Sequence, residues 1–171
     1  DYAPSEFAAH LAELREIRKH RPPYNQHMNR RRNAAFITVS SGPAPRLAVT
    51  TSTAKPDVRY FGPFSSPGRT AGGVRVLNDL LALRDCAEKM PVVYPGQGDL
   101  FGEPMTAACA RYEFGTCAGP CAGLVEEARY LARVDAAVDF LAGRSFHPVD
   151  RVVDKMTTAA EEDDFEGAAR W

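Results

Sequence analysis

The 171-residue chain has no run of about 18 apolar residues that would cross a bilayer, and no basic segment followed by an apolar one at its start. Export and membrane anchoring are therefore not expected. The four cysteines are expected in a reducing cytoplasm, where clustered thiols act as metal ligands or redox groups more often than as disulfides. No histidine lies among them, so any site they build is all-sulfur. The paired C-x2-C knuckles of a zinc module are also missing, which leaves the metal undecided by spacing. Internal repeats and low-complexity tracts are absent, arguing against a solenoid and against a disordered linker protein.

All four cysteines fall between Cys86 and Cys121, spaced C-x22-C-x7-C-x3-C, and the last three sit in a Gly- and Pro-bearing stretch ending Cys117-Ala-Gly-Pro-Cys121. Four soft ligands on such a loop suit zinc or an iron-sulfur cluster; the plain alternative is buried apolar filling. With 44% hydrophobic and 25% charged residues the composition is that of an ordinary globular protein. The net charge of −1 hides a gradient: residues 13–34 carry seven Lys/Arg against two Glu, and residues 122–171 carry six against eleven Asp/Glu. The basic end, with Arg30, Arg31 and Arg32 in a row, suits an anion such as a nucleic-acid phosphate, or is a solvated basic face. Beginning at Asp1 and ending at Trp171 within a helical pattern, the chain reads as a fragment.

Ser5 is positioned to cap a helix over about residues 6–20, with Phe7, Leu11, Leu14 and Ile17 at helical spacing and Pro22 and Pro23 ending it. Glu13 lies at the edge of that stripe, where a carboxylate can face a site or pair with Arg18 or Lys19. Segments 36–39 and 47–50 predict a hairpin, and Tyr60 to Phe64 an aromatic strand end running into a turn, its rings serving packing ahead of base stacking. A helix over about 69–83 with Val74, Leu77 and Leu81 on one face delivers Cys86, and residues 90–105 read as loop. Helices are expected over 124–142, with Leu124, Ala128, Leu131, Val138 and Leu141 inward, and from Pro148 onward, interrupted at residues 161–164. His10, His20, His27 and His147 are scattered, as solvated or packing residues are.

Five quoted pieces, in order, carry a resemblance: Glu13-x3-Ile17-x-Lys19-x-Arg21-Pro22-x-Tyr24-Asn25; Tyr60-Phe61-Gly62-Pro63-Phe64; Leu83-Arg84-x-Cys86; the C-x7-C-x3-C of Cys109, Cys117 and Cys121; and Phe165-Glu166-x-Ala168-Ala169-Arg170. Together they resemble the UvrC-like GIY-YIG endonucleases, which include the nuclease subunit of bacterial nucleotide excision repair and shorter stand-alone relatives. The long gap between Cys86 and Cys109 leans toward a stand-alone relative. The resemblance implies an α+β chain in four parts: the end of a GIY-YIG domain (1–34), a β-hairpin and helix connector (35–85), a cysteine-rich module (86–122) and a helical C-terminal region (123–171) ending in a partial UVR-like motif.

By the same resemblance Glu13 binds a divalent metal, Mg or Mn, and Asn25 lies in the nuclease site. Cys86, Cys109, Cys117 and Cys121 hold a 4Fe-4S cluster, ahead of zinc. The partners implied are DNA and, through Met156, Ala160, Phe165, Ala168 and Ala169, UvrB or another UVR-motif protein. Residues 1–12 supply none of the family's GIY and YIG tyrosines or its Arg, so the chain alone is expected to be inactive. Two further readings remain: a non-catalytic DNA- or protein-binding module organised by the four cysteines, and a zinc-bound regulatory domain.

Overall fold

A computed structural model describes residues 4–24, 34–96 and 109–171, without the Arg170 side chain. The chain forms two compact units, Asp1–Asn33 and Ala34–Trp171. In the first, helix α1 (Glu6–His20) begins where Ser5 accepts a hydrogen bond from the Ala8 N–H. It ends at Arg21, whose left-handed backbone lets its N–H bond the Ile17 carbonyl. Asn25, His27 and the expected phosphate contacts Arg30, Arg31 and Arg32 lie outside the described residues.

The second unit is α+β. Strands β1 (Ala35–Ser40), β2 (Leu47–Thr50) and β3 (Val58–Phe64) form an antiparallel sheet in the order β2-β1-β3. The expected hairpin is present, with Phe36 opposite Thr50 and Val39 opposite Leu47, and β3 adds on its other side. Alternation along β1 sends Ala35, Ile37 and Val39 into the core, while Phe36, Thr38 and Ser40 are half-buried on the opposite face. On that second face Tyr60 meets Phe36 edge-to-face at 6.4 Å and bonds its hydroxyl to the Lys55 backbone, which is the packing role expected of it.

The register of β1 and β3 shifts between Ala35 and Ile37. Gly62 sits opposite that irregularity with φ +130°, and a Cβ there would lie 3.0 Å from the Ala35 carbonyl oxygen. Gly62→Ala is therefore expected to lower stability by about 1–3 kcal/mol, through a backbone conformation and a backbone clash that alanine cannot relieve. The midpoint of chemical denaturation measures it.

Helix α2 (Pro67–Leu81) starts at Ser66, whose hydroxyl accepts from the Arg69 N–H, and lays Val74, Leu77 and Leu81 on the sheet. Its last residue, Leu81, falls two residues short of the expected 83, and Ala82 takes a left-handed conformation that lets Leu83 N–H reach the Asn78 carbonyl at 2.9 Å. After the cysteine region come α4 (Glu127–Leu141), α5 (His147–Glu161) and α6 (Phe165–Arg170), with a four-residue helix α3 (Ala110–Glu113) inside that region. Helices α5 and α6 form a hairpin. Its turn is closed by Asp164, whose N–H bonds the Ala159 carbonyl and whose carboxylate accepts from Gly167 N–H.

The inward face of α4 corrects the sequence expectation. The helix starts at Glu127, three residues late, and buries Tyr130, Val134, Ala137 and Val138; Leu124 and Ala128 are exposed. The true stripe is i, i+4, i+7, i+8 counted from a tyrosine, and a search for aliphatic periodicity passes over it. Tyr130 is fully buried. Its hydroxyl donates to the Pro45 carbonyl at 2.9 Å and accepts from the Arg84 N–H at 3.2 Å. Among the described residues no helix is long and apolar enough to cross a membrane.

Candidate metal or cluster centre

Three pieces of chain bring the cysteines together. Cys86 follows the end of α2, Cys109 is the residue from which α3 starts, and Cys117 and Cys121 flank and enter a single 3-10 turn over Pro120–Ala122. All four are free thiols and all four line one cavity of about 270 Å³, with Arg84, Asp85, Met90, Ala110, Arg111 and Pro120. Cys117 is buried, Cys86 and Cys121 are half-buried, and Cys109 is exposed. Gly119, between Cys117 and Cys121, has φ +70°, and a Cβ on it would press on the Tyr112 ring at 3.0 Å. Only glycine lets the chain double back there.

The end of α2 anchors this loop. A helix leaves its last carbonyls without intrahelical partners, and α2 has no basic residue in its last turn to meet them. Arg133 Nη1 of α4 reaches the Leu81 carbonyl at 3.4 Å, and just past the helix the cysteine region supplies donors, Ala118 N–H to the Ala82 carbonyl at 2.9 Å and Arg111 Nη2 to the Leu83 carbonyl at 3.2 Å. Arg111 also donates to Asp79 at 2.7 Å and to the Thr116 carbonyl at 2.7 Å, and its Nη1 lies 3.2 Å from Asp85. One side chain thus ties α2, the Cys86 segment and the Cys109–Cys117 loop together.

The thiols feel one another. Burial pushes the Cys117 thiol up; a hydrogen bond from the Gly119 backbone and the Arg111 charge oppose it, and Cys109 and Cys86 add to it. Burial likewise raises Cys121, with Cys86 and Cys109 adding and Arg84 opposing. Among the described residues no three His, Cys, Asp or Glu side chains close on a point where a single ion would sit. Zinc holds thiolates at about 2.3 Å, which requires sulfurs within roughly 4 Å of each other. The four thiols share the lining of one cavity without closing, among the described residues, on a single-ion site.

Glu13 lies in the other unit, on α1, where its exposed carboxylate is 3.6 Å from His10, one turn back; no contact with Arg18 or Lys19 forms. His10 also lies 3.9 Å from Glu6, and His20 lies 3.1 Å from Glu16, as surface residues do. An open carboxylate with only a neighbouring imidazole beside it can take a hard cation whose remaining ligands are water and phosphate oxygen.

Two arginines line the cysteine cavity without an assigned role, Arg84 of the Leu83-Arg84-x-Cys86 motif and Arg111 of the interval between Cys109 and Cys117. Their one sequence signal is position, each two residues from a cysteine.

The concentrated chemistry of this α+β unit is its four-thiol cavity, and comparison with known proteins places the unit in a family. The sequence profile described as "UvrC/Cho excinuclease, middle domain" matches residues 34–140. The chain belongs to the UvrC/Cho excinuclease family and carries its middle domain. It is 30% identical over 167 residues to the UvrABC system protein C of Desulfatibacillum aliphaticivorans, covering 97% of this chain and 26% of that protein. It is 33% identical over 165 residues to the UvrABC system protein C of Pseudomonas fluorescens, covering 96% and 25%, and 32% identical over 167 residues to that of Bdellovibrio bacteriovorus, covering 97% and 25%. The chain spans about a quarter of the length of these relatives. No solved structure matches significantly.

Proposed function

We propose that this chain is the central stretch of a DNA-repair excinuclease of the UvrC type, and that its cysteine module holds a 4Fe-4S cluster. The observation that carries the reading is the single cavity lined by Cys86, Cys109, Cys117 and Cys121 inside the stretch that matches the family. When bound, the cluster supplies cross-links between the α2 end and the Cys109–Cys121 loop, four Fe–S bonds replacing the core that a Gly- and Pro-rich loop cannot build. Cys117 and Cys121 are held by the turn at Gly119, Cys86 by the end of α2, and Cys109 by the start of α3.

The test is metal and sulfide content with a visible spectrum on protein purified without oxygen. About four irons with acid-labile sulfide and a broad visible band support the cluster. One zinc per chain keeps the module and overturns the cluster; free thiols with neither metal overturn both and leave the binding-module reading.

In the full-length protein α1 would close a GIY-YIG nuclease domain, with Glu13 binding Mg or Mn and Asn25 lining the same site. A bound cation there would polarise the phosphodiester and lower the pKa of an attacking water. Glu13→Gln is accordingly expected to lower DNA incision by about 100-fold or more, with DNA affinity and folding unchanged. An incision rate within a few-fold of wild type removes Glu13 from the site. The partner reading for the α5–α6 hairpin is UvrB or another UVR-motif protein, supported by the exposure of Met156 and Phe165 on it. The second functional reading, a non-catalytic module, predicts DNA or protein binding by the Ala34–Trp171 unit with no dependence of any incision on Glu13.

A further inference from the structure

Arg84 is 5% exposed, and among the described residues its side chain makes one hydrogen bond, from Nη2 to the Ala87 carbonyl at 2.8 Å. Its Nε–H is buried without a partner, and no carboxylate among the described residues forms an ion pair with it. Arg111 Nε is likewise buried without a partner among the described residues, but the Arg111 charge is met by the Asp79 and Asp85 carboxylates. A guanidinium that is buried and unpaired is costly, because desolvation removes water that nothing replaces. Arg84 also lines the cavity of the four cysteines, where Asp85 is paired with Arg111, which holds Asp79 as well.

We propose that Arg84 is the buried counter-ion and hydrogen-bond donor of the sulfur-ligated group in this cavity. The inference rests on the cysteine-site reading above. Four thiolates around a 2+ metal core, whether one zinc or a four-iron cube, leave a net charge of about −2, and a thiolate or sulfide sulfur accepts a hydrogen bond. The Arg84 Nε–H lacks an acceptor and its charge lacks an anion; a sulfur-ligated anion in the cavity satisfies both. Arg84 therefore acts as a positioning and tuning residue, since it touches the ligating sulfurs and not the metal.

The experiment compares wild type, Arg84→Gln and Arg84→Lys, purified without oxygen. Three quantities are read: metal release to excess chelator, the midpoint potential of the visible band, and melting of metal-free and metal-loaded protein. Arg84→Gln should release metal about tenfold faster or more. It should also shift the potential to more negative values, because the reduced cluster carries one more negative charge. Arg84→Lys, which keeps the charge, should recover most of both. Melting separates this role from packing: Arg84→Gln should destabilise the loaded protein yet leave the metal-free protein as stable or more stable.

Equal destabilisation of both forms, or a variant that no longer folds in either, overturns the proposal, because removing an unpaired buried cation should not weaken the metal-free fold. Unchanged metal release and melting in Arg84→Gln overturn it while the cysteine site stands, and for a wild type carrying iron so does an unchanged potential. A wild type that binds neither iron nor zinc overturns the cysteine site itself. If the protein holds zinc, release and melting decide alone.

Discussion

Tyr130→Ala is expected to leave the Ala34–Trp171 unit largely unfolded. Truncating a fully buried aromatic side chain costs about 3–5 kcal/mol through lost transfer energy and an uncollapsed cavity. Tyr130 also closes the fold with its hydroxyl, joining the Pro45 carbonyl of the β1–β2 loop to the Arg84 N–H beyond α2. Set against a total stability of about 5–15 kcal/mol, the loss is decisive.

Tyr130→Phe isolates the polar part of the effect. It leaves a buried carbonyl and a buried N–H unpaired, for about 2–3 kcal/mol. The same residue sets an alkaline limit. Burial holds the Tyr130 hydroxyl far above its ordinary value of 10.0, with the Arg84 backbone hydrogen bond and the Arg84 charge opposing, and Cys117 and Tyr94 adding. The unfolded chain therefore releases that proton first. Its contribution is fully present below about pH 10 and is lost as pH rises above it. Burial also raises Tyr94, whose hydroxyl donates to the Pro43 carbonyl, in the same direction. Denaturation midpoints between pH 8 and 11 should fall steeply for wild type and less steeply for Tyr130→Phe; parallel slopes would place the alkaline loss elsewhere.

Cys117→Ser is expected to remove most bound metal and to loosen residues 109–123 while β1–β3 and α2 persist. Cys117 is the buried thiol of the four, so it is the ligand most insulated from water and the hardest to replace. Ligand loss in a loop of this kind forfeits metal-binding energy that is also folding energy, on the order of several kcal/mol. Serine adds a hydroxyl where the thiol packed as a small apolar group. Metal analysis together with hydrogen exchange measures both parts. Wild-type metal content with unchanged protection of residues 109–123 would sink the assignment. The exposed Cys109, tested as Cys109→Ser, should lower metal content with a smaller change in protection.

Much of the architecture was legible because its signals are local. Ser5 caps α1 by accepting an N–H three residues on, a pattern that reads directly from sequence, whereas the matching Ser66 cap starts α2 at Pro67, two residues before the expected 69. Alternation in residues 35–40 and the Pro-rich loop after them announce the hairpin. Glu161 to Asp164 mark the break between α5 and α6, where Asp163 takes a left-handed conformation. The four cysteines clustered in sequence also line one cavity, and the resemblance to UvrC-like endonucleases matched the family that the comparison found.

Other features depended on distant partners. The pairing of β3 with β1, across eighteen residues from Ser40 to Val58, has no local code, since either edge of the hairpin offers the same ladder of N–H and C=O groups. The inward face of α4 turned on Tyr130, whose polar tip makes it a poor core candidate until Pro45 and Arg84 are placed beside it. A hairpin loop such as that between β1 and β2 ordinarily runs over the surface. Instead Ala44 is buried and the carbonyls of Pro43 and Pro45 are capped by Tyr94 and Tyr130, because proline-flanked segments have few N–H groups to satisfy and can be covered at low cost.

The amino-acid sequence alone determined most of the helix and strand segments, their ends to within about three residues, and that four thiols lie in one short region, because capping, periodicity and chain spacing act over a few residues. Tertiary structure decided that those thiols share one cavity and that Arg111 ties it to the end of α2. It also decided that Arg84 is buried there with no anion of its own. Burial and charge pairing are properties of surroundings, and the surroundings of Arg84 come from residues as far away as Cys121 and Tyr130.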